Sequence, residues 1–468
     1  MLVISAVVLI PCLWHRVIAA SDLGSHSYNA WLTQLIHHGQ APGLWLARQW
    51  TNVLFDFLLS GFGSLFGLPA AEKVAVAIAV LIFFWGIFAL VCAATRRTPW
   101  LLLPCIALVT YGWTFQLGFF NYYLSVGLSF WGLAIFWRGK GWERLAVIPI
   151  AVLAAVAHPF GLFWLLAACA YVGIAEALPE LYHVALFLVA AAVAAFIHYY
   201  FWHHYTVEAQ SWPLYWLNGA DQLILFGNRY RIPERALATF AIMALAVDAI
   251  RRRREPSFWK LYILPLQLYG IAELGVLLFP RGVHFPQHVP IALITDRLTT
   301  LSAAAGCCVL GAMRPSKWHL AASLGIATVF FSFLYQDTAI VSRMEQQVER
   351  LVHKLPPDRR VMATIFQSPD SRVLIQHIID RACIGYCFSY GNYEPGSAVF
   401  RVRASPGNPY VLDNYELAID TEKGTYVVQP EDLPVYQVYQ CSSTGTDLCI
   451  SSLHAGEQNN RLGVYRTQ

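Results

Sequence analysis

Residues 74–94 read VAVAIAVLIFFWGIFALVCAA, and residues 181–202 read LYHVALFLVAAAVAAFIHYYFW; neither run holds an Asp, Glu, Lys or Arg. Coiled as helices at about 1.5 Å per residue, such runs match the ~30 Å hydrocarbon core of a bilayer. In lipid every backbone polar group must be satisfied within the fold, so a chain with these runs is constrained to a bundle of helices. The chain is 57% hydrophobic and 13% charged, where a soluble domain carries about 25% charged residues. The deficit lies in residues 1–340, whereas residues 341–468 have the composition of an ordinary soluble domain. The net charge of +4 sits mostly in short clusters between apolar runs. That pattern speaks for membrane topology and against nucleic acid as a partner.

Four basic clusters separate apolar runs: Arg96-Arg97, Arg138 to Arg144, Arg251 to Arg254, and Arg314 to Lys317. Short loops rich in Lys and Arg stay in the cytoplasm. With all four inside, spans are expected near 2–20, 74–95, 100–116, 118–137, 145–157, 160–178, 181–202, 236–250, 257–279, 298–313 and 318–336. This is a multi-pass protein of the plasma (inner) membrane with about 11 crossings. Its N-terminus lies inside, and an α+β domain at 341–468 lies outside. Residues 2–14 are preceded by no basic residue, which favours a first span over a cleaved signal. Residues 50–67 (WTNVLFDFLLSGFGSLFG) are apolar enough to enter the membrane and either cross it or lie re-entrant or interfacial.

Six cysteines fall within apolar runs and read as packing residues. The other four, Cys383, Cys387, Cys441 and Cys449, form two close pairs in the polar domain. Disulfides mark oxidising compartments. Each pair is expected to close its own small loop, although cross-pairing is equally allowed by sequence. In the same domain, residues 343–355 read as a helix, and 397–404 and 424–429 alternate as strands do.

The stretch ASDLGSHSYNAWLTQLIHHG, residues 20–39, puts a carboxylate where the first span ends. After Asp22, residues Tyr28, Trp31, Leu32, Leu35 and Ile36 fall on one stripe of a helix. Such a helix is expected along the membrane surface, its aromatics at the headgroups. Asp22 then lies at the lipid–water boundary, unless it only caps the helix. A carboxylate at that depth is suited to deprotonate an acceptor hydroxyl beside a lipid-linked phosphate, or to hold a divalent cation against it.

A span ending in a short loop with an acidic residue, a juxtamembrane helix, many further spans and an extracytoplasmic C-terminal domain resemble the GT-C superfamily of integral-membrane glycosyltransferases. FQLGFFNYYLSVGLSFWGLAIFWR (115–138) and LAAVAHPFGLFWLL (153–166) are similar to middle spans of uncharacterised bacterial proteins of that type. The resemblance covers roughly residues 1–340. It implies a polyprenyl-phosphate or polyprenyl-diphosphate sugar donor and inverting transfer on the outer face. It maps the acidic residue of the first loop onto Asp22. Many such enzymes carry a second acidic motif in a later outer loop; here that stretch offers Gln116 and Asn121 instead, which puts metal dependence in doubt.

Other ionisable residues are candidates for substrate binding. His26 follows Asp22 by one helical turn. His158 precedes Pro159 at a span end. Asp56 is a costly charge if residues 50–67 are buried in lipid, and it is expected either to pair with Arg48 or to face a cavity. Arg281, His284, His288 and Arg297 share the loop at 280–297, and Arg suits a phosphate because its fork pairs two oxygens. No nucleophile–His–acid spacing, Walker loop or dinucleotide fingerprint occurs. Two other readings stay open: a transporter or flippase of a lipid-linked carrier, and a non-catalytic membrane protein that presents its outer domain.

Overall fold

The computed structural model describes residues 1–210, 218–255, 258–286, 289–314, 316–366, 368–375, 377–397, 399–442 and 445–460. His288 and parts of the loops at 203–233 and 280–297 lie outside the described residues. The chain forms two units. One comprises Met1–Val8, Ile78–Phe115 and Asn121–Leu334; the other comprises Leu9–Ala77, Gln116–Phe120 and Tyr335–Gln468.

The first unit is helical. Among the described residues, five helices are long and apolar enough to cross a membrane: Leu68–Thr95, Pro159–Ala177, Glu180–His204, Phe258–Leu278 and Lys317–Val352. They answer the expected spans at 74–95, 160–178, 181–202, 257–279 and 318–336. Glu180–His204 presents Val184, Leu188, Val193 and Phe196 outward, each more than half exposed. An apolar face of that extent suits lipid and not water.

The remaining expected spans take other forms. Residues 2–20 are not one helix: Leu2–Val8 ends before the four-residue helix Ile10–Leu13. Pro11 accounts for the break, because its ring clashes with the carbonyl four residues earlier and it has no N–H to donate. Residues 100–116 are a turn of 3-10 helix, the helix Leu103–Thr110 and the short helix Trp113–Gln116. The helix at 145–157 has 11 residues, Val147–Ala157, about 17 Å long at 1.5 Å per residue. Phe120–Arg138, Arg231–Arg252 and Ile294–Gly311 occupy the others. Residues 50–67 contain the helix Leu54–Phe66 of 13 residues, about 20 Å long and short of a bilayer.

The second unit is α+β. A four-stranded sheet runs in the order Phe388–Ser389, Arg360–Thr364, Val435–Gln440, Leu448–Ser452. The first two pairings are parallel and the last is antiparallel. Of the expected strand at 397–404 only Val402–Ala404 forms, paired with Leu44–Leu46; Ser397 instead closes a turn onto the Glu394 carbonyl. Residues 424–429 contain only the isolated bridge of Val427 to Gln458. The helix expected at 343–355 is the end of the long helix Lys317–Val352. Disulfides join Cys383 to Cys387 and Cys441 to Cys449.

The amphipathic stretch is a helix, Leu23–His37, but the surroundings of its stripe differ from the expected headgroups. Tyr28 and Leu32 lie in a core with Met344, Val348, Val361, Ile378, Phe388 and Val438, and Trp31, Leu35 and Ile36 pack against it. Trp31 stacks on Phe388 at 5.8 Å, and the Tyr28 hydroxyl accepts the Ser389 N–H at 2.9 Å. The polar side is buried too: Asn29 accepts from the Asn392 amide at 3.0 Å, and the Thr33 hydroxyl returns to the Asn29 carbonyl. The period of 3.6 was matched by protein, because the C-terminal segment supplies both apolar and hydrogen-bonding partners. The compositional change near 340 therefore does not bound this unit, which takes in residues 9–77.

Candidate functional site

Asp22 precedes the helix Leu23–His37 at the N-cap position, yet its side chain makes no capping hydrogen bond. Its backbone fixes it instead. The Ser21 and Asp22 amides donate to the carbonyls of Gln116 and Leu117 at 2.9 and 3.0 Å. Gly118 makes that approach possible: φ is +78°, and a Cβ there would stand 2.6 Å from the Asp22 nitrogen.

The Asp22 carboxylate is one-fifth exposed and faces His377 Nε2 at 3.8 Å. On the other side of that ring, Nδ1 donates to Asp380 at 2.9 Å. Asp380 in turn accepts from the Ser389 hydroxyl at 2.5 Å. His377 and Asp380 are both almost fully buried. The result is a chain, Ser389–Asp380–His377, that ends on a carboxylate open to solvent. Burial alone would lower the His377 pKa, but Asp380, Glu422 and Asp22 raise it to about 10, so the ring is an imidazolium at neutral pH.

One turn along the helix, His26 Nδ1 donates to Asp56 at 2.8 Å. Burial again opposes the charge, and Asp56, with Glu394 and Asp22, carries the His26 pKa up to about 9. Asp56 thus pairs with His26, not with the expected Arg48, from the first turn of Leu54–Phe66. Around these rings stand two further carboxyls. Glu394 accepts from the Ser25 hydroxyl at 2.8 Å, and burial pushes its pKa to about 7 against the pull of His26. Burial likewise pushes Glu422 to about 7 against the pull of His377. Tyr393 packs its ring 5.2 Å from His377. The site is therefore two imidazoliums among five carboxyl groups, Asp22, Asp56, Asp380, Glu394 and Glu422.

Below this site Arg381 donates to Glu72 at 2.9 Å and to Glu345, and the Ser27 hydroxyl donates to Glu72 at 2.7 Å. Removing one member of such a buried ionic triad would leave a charge uncompensated. No group of three or more His, Cys, Asp or Glu among the described residues is arranged to hold a metal ion, so no step is assigned to a divalent cation.

Of the residues singled out in the sequence, Asp22, His26 and Asp56 come together here. His158, Arg281, His284 and Arg297 belong to the other unit. There His158 and the Arg297 guanidinium flank the Tyr122 ring, at 5.6 and 5.9 Å, and the Tyr122 hydroxyl donates to the Arg297 carbonyl. Arg281 pairs with Asp296 at 3.4 Å, and His284 with Glu208 at 3.2 Å. His377, Asp380, Glu394 and Glu422 were missed. The available signal was the run HIID, residues 377–380, in which a histidine and an aspartate three apart interrupt an apolar turn.

Comparison with known proteins finds no family model, no curated protein and no solved structure that matches the chain.

Proposed function

We propose that this chain is an integral-membrane glycosyltransferase of the GT-C kind, and that it transfers a sugar from a polyprenyl-phosphate-linked donor to an acceptor hydroxyl with inversion, on the extracytoplasmic face. One observation carries the reading: the Asp22 side chain makes no capping bond, and a buried His377–Asp380 pair faces it. A residue that served only to end a span or start a helix would not need that backing. In the reaction the acceptor oxygen bonds to the anomeric carbon as its proton passes to Asp22. The bond from that carbon to the carrier phosphate breaks, and the phosphate leaves with the electron pair. His377 keeps Asp22 ionised and aimed.

The test is Asp22→Asn in membranes supplied with a polyprenyl-phosphate-linked sugar. Loss of a general base typically costs about 10²–10⁴-fold in rate. Asn also starts helices well, and the native side chain makes no capping hydrogen bond, so expression and melting should match wild type. Wild-type transfer by the folded variant would sink the reading.

A further inference from the structure

A second site stands in the helical unit. Between the helices Arg231–Arg252, Phe258–Leu278 and Ile294–Gly311 lies a cavity of about 240 Å³. Leu237, Ala241, Leu266, Ala303, Gly306 and Leu310 form its apolar walls. Its size is below the ~300–1,000 Å³ usual for drug-sized ligands, and its Ala and Gly walls leave a narrow space, suited to a chain and not to a ring system. Ile242 also lines it and is 68% exposed, on a helix whose Met243 and Ile250 also face outward. The cavity thus reaches an apolar surface at Ile242.

Two polar side chains also line the cavity, Asn218 and Tyr269, with the Tyr269 hydroxyl 3.4 Å from the Asn218 carbonyl. One helical turn on from Tyr269 stands Glu273, whose Oε1 is buried and has no hydrogen-bond partner among the described residues, and the carboxylate of Asp221 acts on it with like sign. Asp221 is fully buried and accepts from the Thr299 hydroxyl at 3.0 Å. Glu273 lies within a helix long and apolar enough to cross a membrane. An ionisable group at such depth is costly and tends to mark a ligand path. Two carboxyls next to the lining residues Tyr269 and Ala220 repel an anion and attract a hydrogen-bond donor.

We infer that this cavity takes a single hydrocarbon chain whose head donates hydrogen bonds and carries no negative charge, such as a long-chain primary amine or alcohol, entering sideways from the bilayer. The chain lies along the Ala241–Ala303 walls, and the head meets Tyr269 and Asn218 under the field of Glu273 and Asp221. This site is independent of Asp22.

Native mass spectrometry of the full-length protein, released from a non-ionic detergent, tests it with dodecylamine, 1-dodecanol and dodecanoate as probes. Wild type should retain the amine and the alcohol at least about tenfold better than the carboxylate, a gap of roughly 1.4 kcal/mol. Ala241→Phe, which fills the cavity, should lose all three. Glu273→Gln should keep the alcohol while the amine-to-carboxylate ratio falls about tenfold. Equal retention of amine and carboxylate by wild type overturns the inference, as does wild-type retention by Ala241→Phe. Should Ala241→Phe fail to melt cooperatively, Glu273→Gln decides alone, and an unchanged ratio overturns the inference.

Discussion

His377 stands between two carboxylates at unequal reach, 2.9 Å to Asp380 and 3.8 Å to Asp22. The nearer one sets the ring; in the proposed reaction the farther one is what the ring serves. His377→Gln keeps a donor but removes the charge, and Asp380→Asn releases the ring. A hydrogen bond to a charged group is worth about 1.5–3 kcal/mol, roughly 10–100-fold in rate. Either variant should therefore lower kcat by about that factor, with less change in KM, and shift the pH profile of transfer. An unchanged profile would make His377 structural only. The same residues fix the sign of a stability effect. His26 and His377 are raised to about 9 and about 10 from 6.5. Their stabilisation is complete below about 6.5 and is lost as pH rises through 9 to 10. Glu394 and Glu422 are raised to about 7 from 4.5. The folded state then binds their protons where the unfolded chain has released them, so stability also falls as pH rises between these values. The melting temperature followed by tryptophan fluorescence should fall from pH 6 to pH 9.5, and above pH 7 the fall belongs to the two rings; a flat or rising trend from pH 7 to pH 9.5 would mean both rings are neutral.

Gly24 decides how closely two distant elements meet. A Cβ at that position would stand 2.6 Å from the His377 carbonyl oxygen, so the helix Leu23–His37 admits the His377 backbone only because residue 24 is glycine. Gly24→Ala should displace His377, cost about 1–3 kcal/mol and lower transfer together with stability. Gly61→Ala is the matched control: its Cβ would meet nothing within 4 Å, and Ala improves a helix by roughly 0.8–1 kcal/mol. Urea unfolding of both variants compares the two directly. The stripe Tyr28, Trp31, Leu32, Leu35, Ile36 was legible as helix because periodicity reports which side chains share a face. It does not report what covers that face, and the cover here comes from residues more than 300 positions later, such as Met344 and Phe388. Asp22 was legible for the same local reason, since it starts the helix. His377 was not, because no short-range pattern ties residue 377 to residue 22. The interruption at Pro11 was present in the sequence as a helix-breaking residue; the apolar run around it masked the break.

Two long helices carry the charge pattern that orients the whole chain. Leu68–Thr95 ends at Arg96-Arg97, and Lys317–Val352 begins beside Arg314. In the proposed topology short basic loops stay in the cytoplasm, which would point the opposite ends, near Leu68 and Val352, outward. Those ends lead into residues 9–77 and 335–468, which form one unit. The two helices thus agree on this topology without any count of the spans between them. The same unit holds Cys383–Cys387 and Cys441–Cys449, and disulfides persist in oxidising compartments. Two measurements follow. A reporter that works only in the cytoplasm, fused after Gln468, should be silent. Trypsin cuts after Arg381, Arg401, Lys423 and Arg461, so each disulfide pair falls within its own peptide, 382–401 and 424–461. Digested without reductant, each peptide should run alone and lack two hydrogens. A cross-linked pair of peptides would reverse the connectivity, and free thiols at all four positions together with an active reporter would put this unit, and Asp22 with it, on the cytoplasmic side.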